Sequence, residues 1–286
     1  MSVRLSVIVP THNRCGVLQE KLESLQTQTL SPERFEVIVC VDGSTDGTLE
    51  MLERFEAEFA LRILHHPEAK GVVAARNACA AAAVGELLLM SDDDCILDPQ
   101  TLEAHVQLHD ETPKSVVGVG VVHQPGAKQR SVTTQPGRAA WIHATGANTS
   151  MPKAAFEMVG GYDTYFRNYG GEDADLALRL RERGLEFRRV SRADVTHIGS
   201  LFEAGFEEKA FSAGKATQHI FERFPSAEVG LMLGVHPFLL QLKKLVFKTP
   251  LKYLVEEKRR RYELAYIAGI EAERAKSTTQ PLQKET

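Results

Sequence analysis

Glu86-Leu-Leu-Leu-Met-Ser-Asp-Asp-Asp-Cys95 sets an apolar run directly against three consecutive aspartates. Residues 86–90 read as a short buried strand, and Ser91-Asp92-Asp93-Asp94 falls at its carboxyl end. The same unit recurs toward the amino terminus, where apolar runs at 5–9, 36–41 and 61–64 are predicted strands. Between them, residues 14–28 place Leu18, Leu22 and Leu25 on one helical face. Leu49, Leu52, Phe55 and Phe59 stripe a second helix, and an alanine-rich third covers 72–84. Strand and helix alternate with short connections, which predicts a parallel sheet with helices on both faces. Ligands in such sheets bind beyond the carboxyl ends of the strands. Those ends carry Thr11-His12-Asn13, Asp42-Gly43-Ser44, His65-His66 and the aspartate run. A site is expected on that edge.

The second half is less regular. Asp98 as N-cap and Pro99 at the first helical position predict another helix. Residues 116–122 are strand-like, 124–138 are a Gly-, Pro-, Gln- and Thr-rich loop, and 141–150 are a further strand candidate. Helices are predicted over 153–159 and, after Gly170-Gly171, over 172–183. The last sixty residues read as helical and basic, with eight basic and two acidic residues between Gln241 and Tyr262. No internal repeat is present.

At 286 residues, with 25% charged and 43% hydrophobic, the chain is neither disordered nor fibrous. A net charge of −4 argues against a polyanion partner, so no nucleic acid is expected. Cysteines at 15, 40, 79 and 95 form no Cys-x-x-Cys pair, and Cys40 and Cys79 read as small core residues. A reducing compartment fits. The first apolar run stops at Pro10, too short for a signal peptide. The longest later one, 229–240, is broken by His236 and Pro237. A soluble, cytoplasmic protein is expected.

Three adjacent carboxylates repel one another, and a bound cation offsets that. In an extended backbone Asp92 and Asp94 point to one side and Asp93 to the other. Two same-side oxygens suit Mg²⁺ or Mn²⁺, which leave coordination sites for phosphates. The bland alternative, an acidic turn capping the next helix, is weakened because Asp98 already fills that cap. Asp42 precedes Gly43, which alone signals only a turn, and Asp46 or Thr48 can cap the helix that follows. His197 is a lone histidine after a strand-like run, equally suited to structure or to a ligand. His105 and His109 are four apart on a helix, but Val106 stands where a zinc-protease pattern needs glutamate, so a solvated face is expected.

Val7-Ile-Val-Pro-Thr-His-Asn-Arg14, Val41-Asp-Gly-Ser-Thr-Asp-Gly-Thr48, Gly71-Val-Val-Ala-Ala-Arg-Asn77 and Ser91-Asp-Asp-Asp94 occur in that order. Gly146-Ala-Asn-Thr-Ser150, Gly160-Gly-Tyr-Asp163 and Gly171-Glu-Asp-Ala-Asp-Leu176 follow. Together, over about residues 3–225, they resemble family 2 glycosyltransferases, inverting metal-dependent enzymes of the GT-A fold. The resemblance implies a mostly parallel central sheet flanked by helices. It divides the chain into a nucleotide-binding half (1–98), an acceptor-binding half (99–225) and a helical basic extension (226–286). Pro10, Thr11, Asn13, Asp42, Arg76, Asp92 and Asp93 would line the donor nucleotide pocket, Asp42 accepting from the base. Asp94 would be the direct metal ligand, with Asp92 nearer the ribose and His197 a further candidate ligand for Mn²⁺ or Mg²⁺. Glu172-Asp173 matches the acidic pair on the acceptor side, with Asp173 the general base. A helix amino terminus favours its ionised form and so weakens it as a base, whereas burial would restore it.

The function so implied is transfer of a sugar from a nucleotide-diphosphate donor, a UDP-sugar, to a hydroxyl of a glycan or lipid-linked acceptor. Two alternatives stand beside it. A sugar nucleotidyltransferase would need a glycine-rich phosphate loop after the first strand, and Pro10-Thr-His-Asn-Arg14 has no glycine. A non-catalytic nucleotide-sugar or glycan-binding module would not need Asp173. The basic tail, in which Lys243, Lys244, Lys248 and Lys252 alternate with leucines, reads either as a peripheral membrane element at the inner face or as a packed helix with a solvated basic side.

Overall fold

The computed structural model describes residues 2–112, 114–124, 140–167, 170–199 and 205–279. The chain forms two compact units, one of residues 1–167 with 173–199, the other of 168–172 with 200–286. The first unit opens with β1 (Leu5–Thr11), α1 (Cys15–Gln26), β2 (Phe35–Asp42), α2 (Thr48–Arg54), β3 (Ala60–His66), α3 (Val72–Ala82) and β4 (Leu87–Met90). Their pairing is parallel in the order β3-β2-β1-β4, as the alternation predicts. Every residue of β1 and β2 is buried, because helices cover both faces of a parallel sheet. The chain runs outward from β1 through β2 to β3 and then returns to β4 on the other side of β1. That reversal opens a crevice at the carboxyl ends of β1 and β4.

The sheet continues through β7 (Thr149–Pro152), β6 (Val116–His123), β8 (Glu186–His197) and β5 (Cys95–Leu97). Here β4–β7, β6–β7 and β5–β8 are antiparallel and β6–β8 parallel, so the whole sheet is mixed. The helices α4 (Thr101–Glu111), α5 (Lys153–Met158) and α6 (Glu172–Glu182) complete this part of the chain. Leu18, Leu22 and Leu25 of α1 pack into a core with Leu5, Val7, Phe35 and Leu52. Truncating any one of these leucines to alanine costs about 2–5 kcal/mol.

Several expectations are corrected. Helix α2 stops at Arg54, because Phe55 is extended (φ −73°, ψ 118°), and Phe59 reaches the core from a loop, its ring 5.4 Å from that of Phe35. Helix α4 starts at Thr101; Asp98 supplies only a carbonyl to the Thr101 N–H, at 3.0 Å, and is no side-chain cap. Of 141–150 only the end is strand, since residues 140–143 form a short 3-10 turn. His105 and His109 are not solvated. His105 is fully buried, with Nδ1 2.8 Å from Ser150 Oγ and Nε2 2.8 Å from Asn148 Oδ1, and His109 Nε2 lies 2.9 Å from the same Ser150 hydroxyl. Burial lowers both imidazoles to about 4. Cys40 and Cys79 are buried, as expected. The loop expected over 124–138 lies, after Gln124, outside the described residues.

The second unit contains α7 (Phe206–Arg223), α8 (Ala227–Met232), α9 (Pro237–Lys248) and α10 (Glu257–Thr279). Its core joins Ala210, Val235, Leu240, Tyr266, Ile267 and Ile270. Helices α7 and α10 approach closely through glycines. A Cβ on Gly214 would lie 2.0 Å from the Tyr266 carbonyl oxygen, and one on Gly269 2.0 Å from that of Phe211. The apolar stretch 227–248 is two helices separated at Gly234 (φ 71°), and each is shorter than the roughly 20 residues a bilayer crossing needs.

Candidate active site

β4 ends at Met90, and the Ser91 N–H extends the ladder to the Ile8 carbonyl at 3.1 Å. The chain then turns, with the Cys95 N–H donating to the Asp92 carbonyl at 3.2 Å. The aspartates therefore sit on a turn rather than on extended backbone, and the two-sided arrangement expected of them is replaced. Asp93 and Asp94 are buried, and the Arg14 guanidinium reaches both, 3.1 Å from Asp93 Oδ1 and 2.5 Å from Asp94 Oδ2. Thr11 Oγ1 donates to Asp93 Oδ2 at 2.8 Å. Burial pushes Asp93 up to about 6, against the pull of Arg14 and Thr11. Asp92 accepts from Arg76 Nη2 at 2.7 Å.

The residues present fit a hard divalent cation. Oxygens of Asp92 and Asp94 and the Cys95 sulfur lie within 4.8 Å of one another. Burial, with Asp92 adding to it, holds the Cys95 thiol far above its ordinary range, so it stays protonated and is a poor ligand. His197, at the end of β8, would offer a better one. Its Nε2 lies 3.4 Å from Asp94 Oδ1, while its Nδ1 is buried with no hydrogen-bond partner among the described residues. Gly199 leaves the space open, since a Cβ there would stand 2.2 Å from Asp94 Oδ2. Two carboxylates and an imidazole suit Mn²⁺ and, through the oxygens, Mg²⁺.

On the neighbouring strand ends, the Asp42 carboxylate is held by its own chain. Oδ1 accepts from His66 Nδ1 at 2.7 Å and the Lys70 N–H at 3.0 Å, and Oδ2 from the Gly71 N–H at 2.7 Å. Burial raises this group, but those donors outweigh it and hold the carboxyl below its ordinary range. Asn13 is left-handed (φ 52°), and its Oδ1 accepts from the Thr45 N–H at 2.8 Å. It thereby ties the loop after β1 to the loop after β2. Pro10 is buried within β1. His12, exposed beside them, donates from Nδ1 to the Asp42 carbonyl at 2.6 Å.

Asp173 is the second residue of α6. Its Oδ2 accepts from the Gly146 N–H at 2.9 Å and its Oδ1 from the Tyr162 hydroxyl at 3.0 Å, with Arg76 Nη1 at 3.4 Å. Arg76, only 4% exposed, lies over the Tyr162 ring at 5.2 Å from its centroid. A Cβ on Gly146 would stand 1.9 Å from Arg76 Nη2, so only glycine leaves room for the guanidinium. Asn77 fixes Tyr162 by a reciprocal pair of 2.9 Å bonds to its backbone. Burial raises the Asp173 pKa and outweighs Arg76, the Gly146 N–H and Tyr162, which lower it. Glu172 opens the same helix, half-buried, and belongs to the second unit.

Thr11, Arg76, Asp92, Asp93, Asp94, Asp173 and His197 thus share one connected region of the first unit. Asn13 and Asp42 form an adjoining cluster. The sequence assigned no role to Arg14, Tyr162 or Gly146, although each lies inside a quoted motif.

The model of glycosyl transferase family 2 matches residues 6–168, more than half of the chain. Validoxylamine A glucosyltransferase of Streptomyces hygroscopicus subsp. limoneus is 28% identical over 219 residues, covering 63% of this chain and 48% of that protein. The chain therefore spans about half the length of that relative. Among solved structures, the mannosyltransferase PcManGT from Pyrobaculum calidifontis, in complex with GDP-Man and Mn²⁺, superposes with a TM-score of 0.65. It is 18% identical, and the match covers 99% of this chain and 77% of that one. Staphylococcus aureus TarS 1-349, in complex with UDP-GlcNAc, gives 0.62 at 19% identity, covering 99% and 93%. At such identities both likenesses concern the fold, which is of the GT-A type. The chain belongs to glycosyl transferase family 2.

Proposed function

We propose that this chain moves a sugar, with inversion, from a nucleotide-diphosphate donor to a hydroxyl of a glycan or lipid-linked acceptor, with Asp173 as the general base. The observation that carries this reading is a half-buried carboxylate of raised pKa joined through one arginine to the aspartate turn. The acceptor hydroxyl loses its proton to Asp173 as its oxygen bonds to the anomeric carbon. The bond from that carbon to the diphosphate breaks, and the electron pair leaves with the nucleotide. Asp92, Asp94 and His197 would hold Mn²⁺ or Mg²⁺, which offsets charge on the departing diphosphate. Glu172 would serve the acceptor side.

A UDP-sugar is the favoured donor, with Pro10, Thr11, Asn13, Asp42, Arg76, Asp92 and Asp93 lining its pocket. PcManGT with GDP-Man and TarS with UDP-GlcNAc support a nucleotide-sugar and leave guanine as the competing base. Because His66, Lys70 and Gly71 already occupy Asp42, a base N–H would have to displace or share one of those donors.

A cytoplasmic site of action at the inner membrane face follows from a lipid-linked acceptor. Phe238, Leu242 and Leu245 support it: they form one outward stripe of α9, 67%, 48% and 60% exposed, beside exposed Lys248. Thermal unfolding with a panel of nucleotides and nucleotide sugars tests the donor assignment. Stabilisation by one diphosphate nucleotide that requires Mn²⁺ and vanishes in Asp94→Ala is expected. A ligand at 100 times its Kd adds about 2.7 kcal/mol. No stabilisation by any member would overturn the assignment.

A further inference from the structure

Helix α1 buries a charge in the middle of its apolar face. Lys21, beside Leu22 and between Leu18 and Leu25, is 0% exposed. Its ammonium donates to the Ser91 hydroxyl and, at 2.7 Å, to the Cys95 carbonyl. Those partners are the two ends of the turn that carries Asp92, Asp93 and Asp94. The described contacts of the aspartate carboxylates run instead to Arg14, Arg76, Thr11, the Cys95 thiol and His197. Lys21 therefore reaches the turn through its backbone and the preceding serine, with no bond to the aspartate oxygens.

Burying an ammonium is costly unless nearby charge offsets it. Neutral hydrogen-bond partners do not supply that offset, whereas three aspartates in one turn do. Burial lowers the Lys21 pKa to about 8, with the three aspartates pulling it back up, so it is charged at neutral pH.

We propose that Lys21 is a positioning residue for the aspartate turn: a fixed internal counter-cation that pins both ends and offsets the mutual repulsion of the carboxylates before a divalent cation binds. The part concerning the cation rests on the metal reading given above. The part concerning charge does not. Arg14, Arg76 and Lys21 together then give the turn a cationic frame on three sides, of which Lys21 is the one with no route to solvent.

Lys21→Gln keeps a hydrogen-bond donor and removes the charge, while Ser91→Ala keeps the charge and removes one bond. In EDTA, a double-mutant cycle of Lys21→Gln with Asp93→Asn reads the offset without metal. The loss of melting temperature caused by Lys21→Gln should shrink in the Asp93→Asn background. If Lys21→Gln alone does not fold, recovery of folding in the double variant carries the same meaning. Additive effects, or no recovery, would overturn the proposal. With Mn²⁺ added, Lys21→Gln should show a larger stabilisation than wild type and half-saturation at an about threefold lower concentration, because one competing positive charge is gone. Ser91→Ala, which keeps the ammonium and loses one bond, should change that response less than Lys21→Gln does. A Mn²⁺ response equal to wild type in Lys21→Gln would contradict the role toward the cation. If wild type itself does not respond to Mn²⁺, the metal reading fails, and the EDTA cycle still decides the role of Lys21.

Discussion

Arg76 joins Asp92 to Asp173: its Nη2 lies 2.7 Å from Asp92 Oδ1 and its Nη1 3.4 Å from Asp173 Oδ1. Sixteen residues separate Arg76 from Asp92 and ninety-seven separate it from Asp173. One planar guanidinium thus spans two carboxylates that the chain brings together only on folding. Lysine is a point charge and cannot span both. Arg76→Lys is expected to lower turnover about 100-fold, the scale of a 1 Å misplacement. Steady-state kinetics with donor affinity measured separately check this; unchanged turnover would remove the bridge from the account.

Gly146 exists to admit that guanidinium. With a Cβ 1.9 Å from Arg76 Nη2, Gly146→Ala must displace the arginine. Overpacking of this kind costs about 1–3 kcal/mol, read as a lower melting temperature. Turnover should fall as it does in Arg76→Lys, and the double variant should be little worse than either single one.

With Asp173 as the proposed base, its raised pKa predicts an acid limb. A base must be ionised, so turnover should fall about tenfold per pH unit below that pKa and level off above it. Tyr162 donates to Asp173 and lowers its pKa, so Tyr162→Phe should move the limb to higher pH. A shift to lower pH, or none, would separate Asp173 from the titration.

His105 sets part of the acid stability. Its folded pKa of about 4 lies below the ordinary 6.5, so the unfolded chain takes up the proton first as pH falls. Stability is complete above 6.5 and is lost between 6.5 and 4, on the order of 3 kcal/mol. His105→Gln removes the titration and should flatten that limb of the melting-temperature profile. Equal slopes for the two proteins would contradict the assignment.

The strands, the helix faces and the aspartate edge were legible because they rest on local periodicity. The apolar runs at 5–9 and 36–41 lie within β1 and β2. What escaped depends on partners distant in sequence. His105 looks solvated by spacing, yet Asn148 and Ser150, more than forty residues on, form its surroundings. Lys21 interrupts an apolar stripe, and only the turn seventy residues later explains it. The form of the aspartate run also escaped, since one Cys95 N–H bond to Asp92 converts it from extended backbone to turn. A motif marks Asp173, but the sign of its pKa shift depends on burial, which no spacing encodes.

The central claim is that Asp173 removes the acceptor's proton in a sugar transfer. Asp173→Asn keeps the size of the side chain and one acceptor oxygen for Tyr162 and Arg76, removes the base and gives up the bond from the Gly146 N–H. With the donor found by thermal unfolding, single-turnover transfer to acceptor is measured alongside donor affinity. The expected result is donor affinity within about threefold of wild type and turnover reduced by at least about 100-fold. Turnover retained in Asp173→Asn would contradict the account and favour a chain that binds nucleotide-sugar or glycan without using this carboxylate.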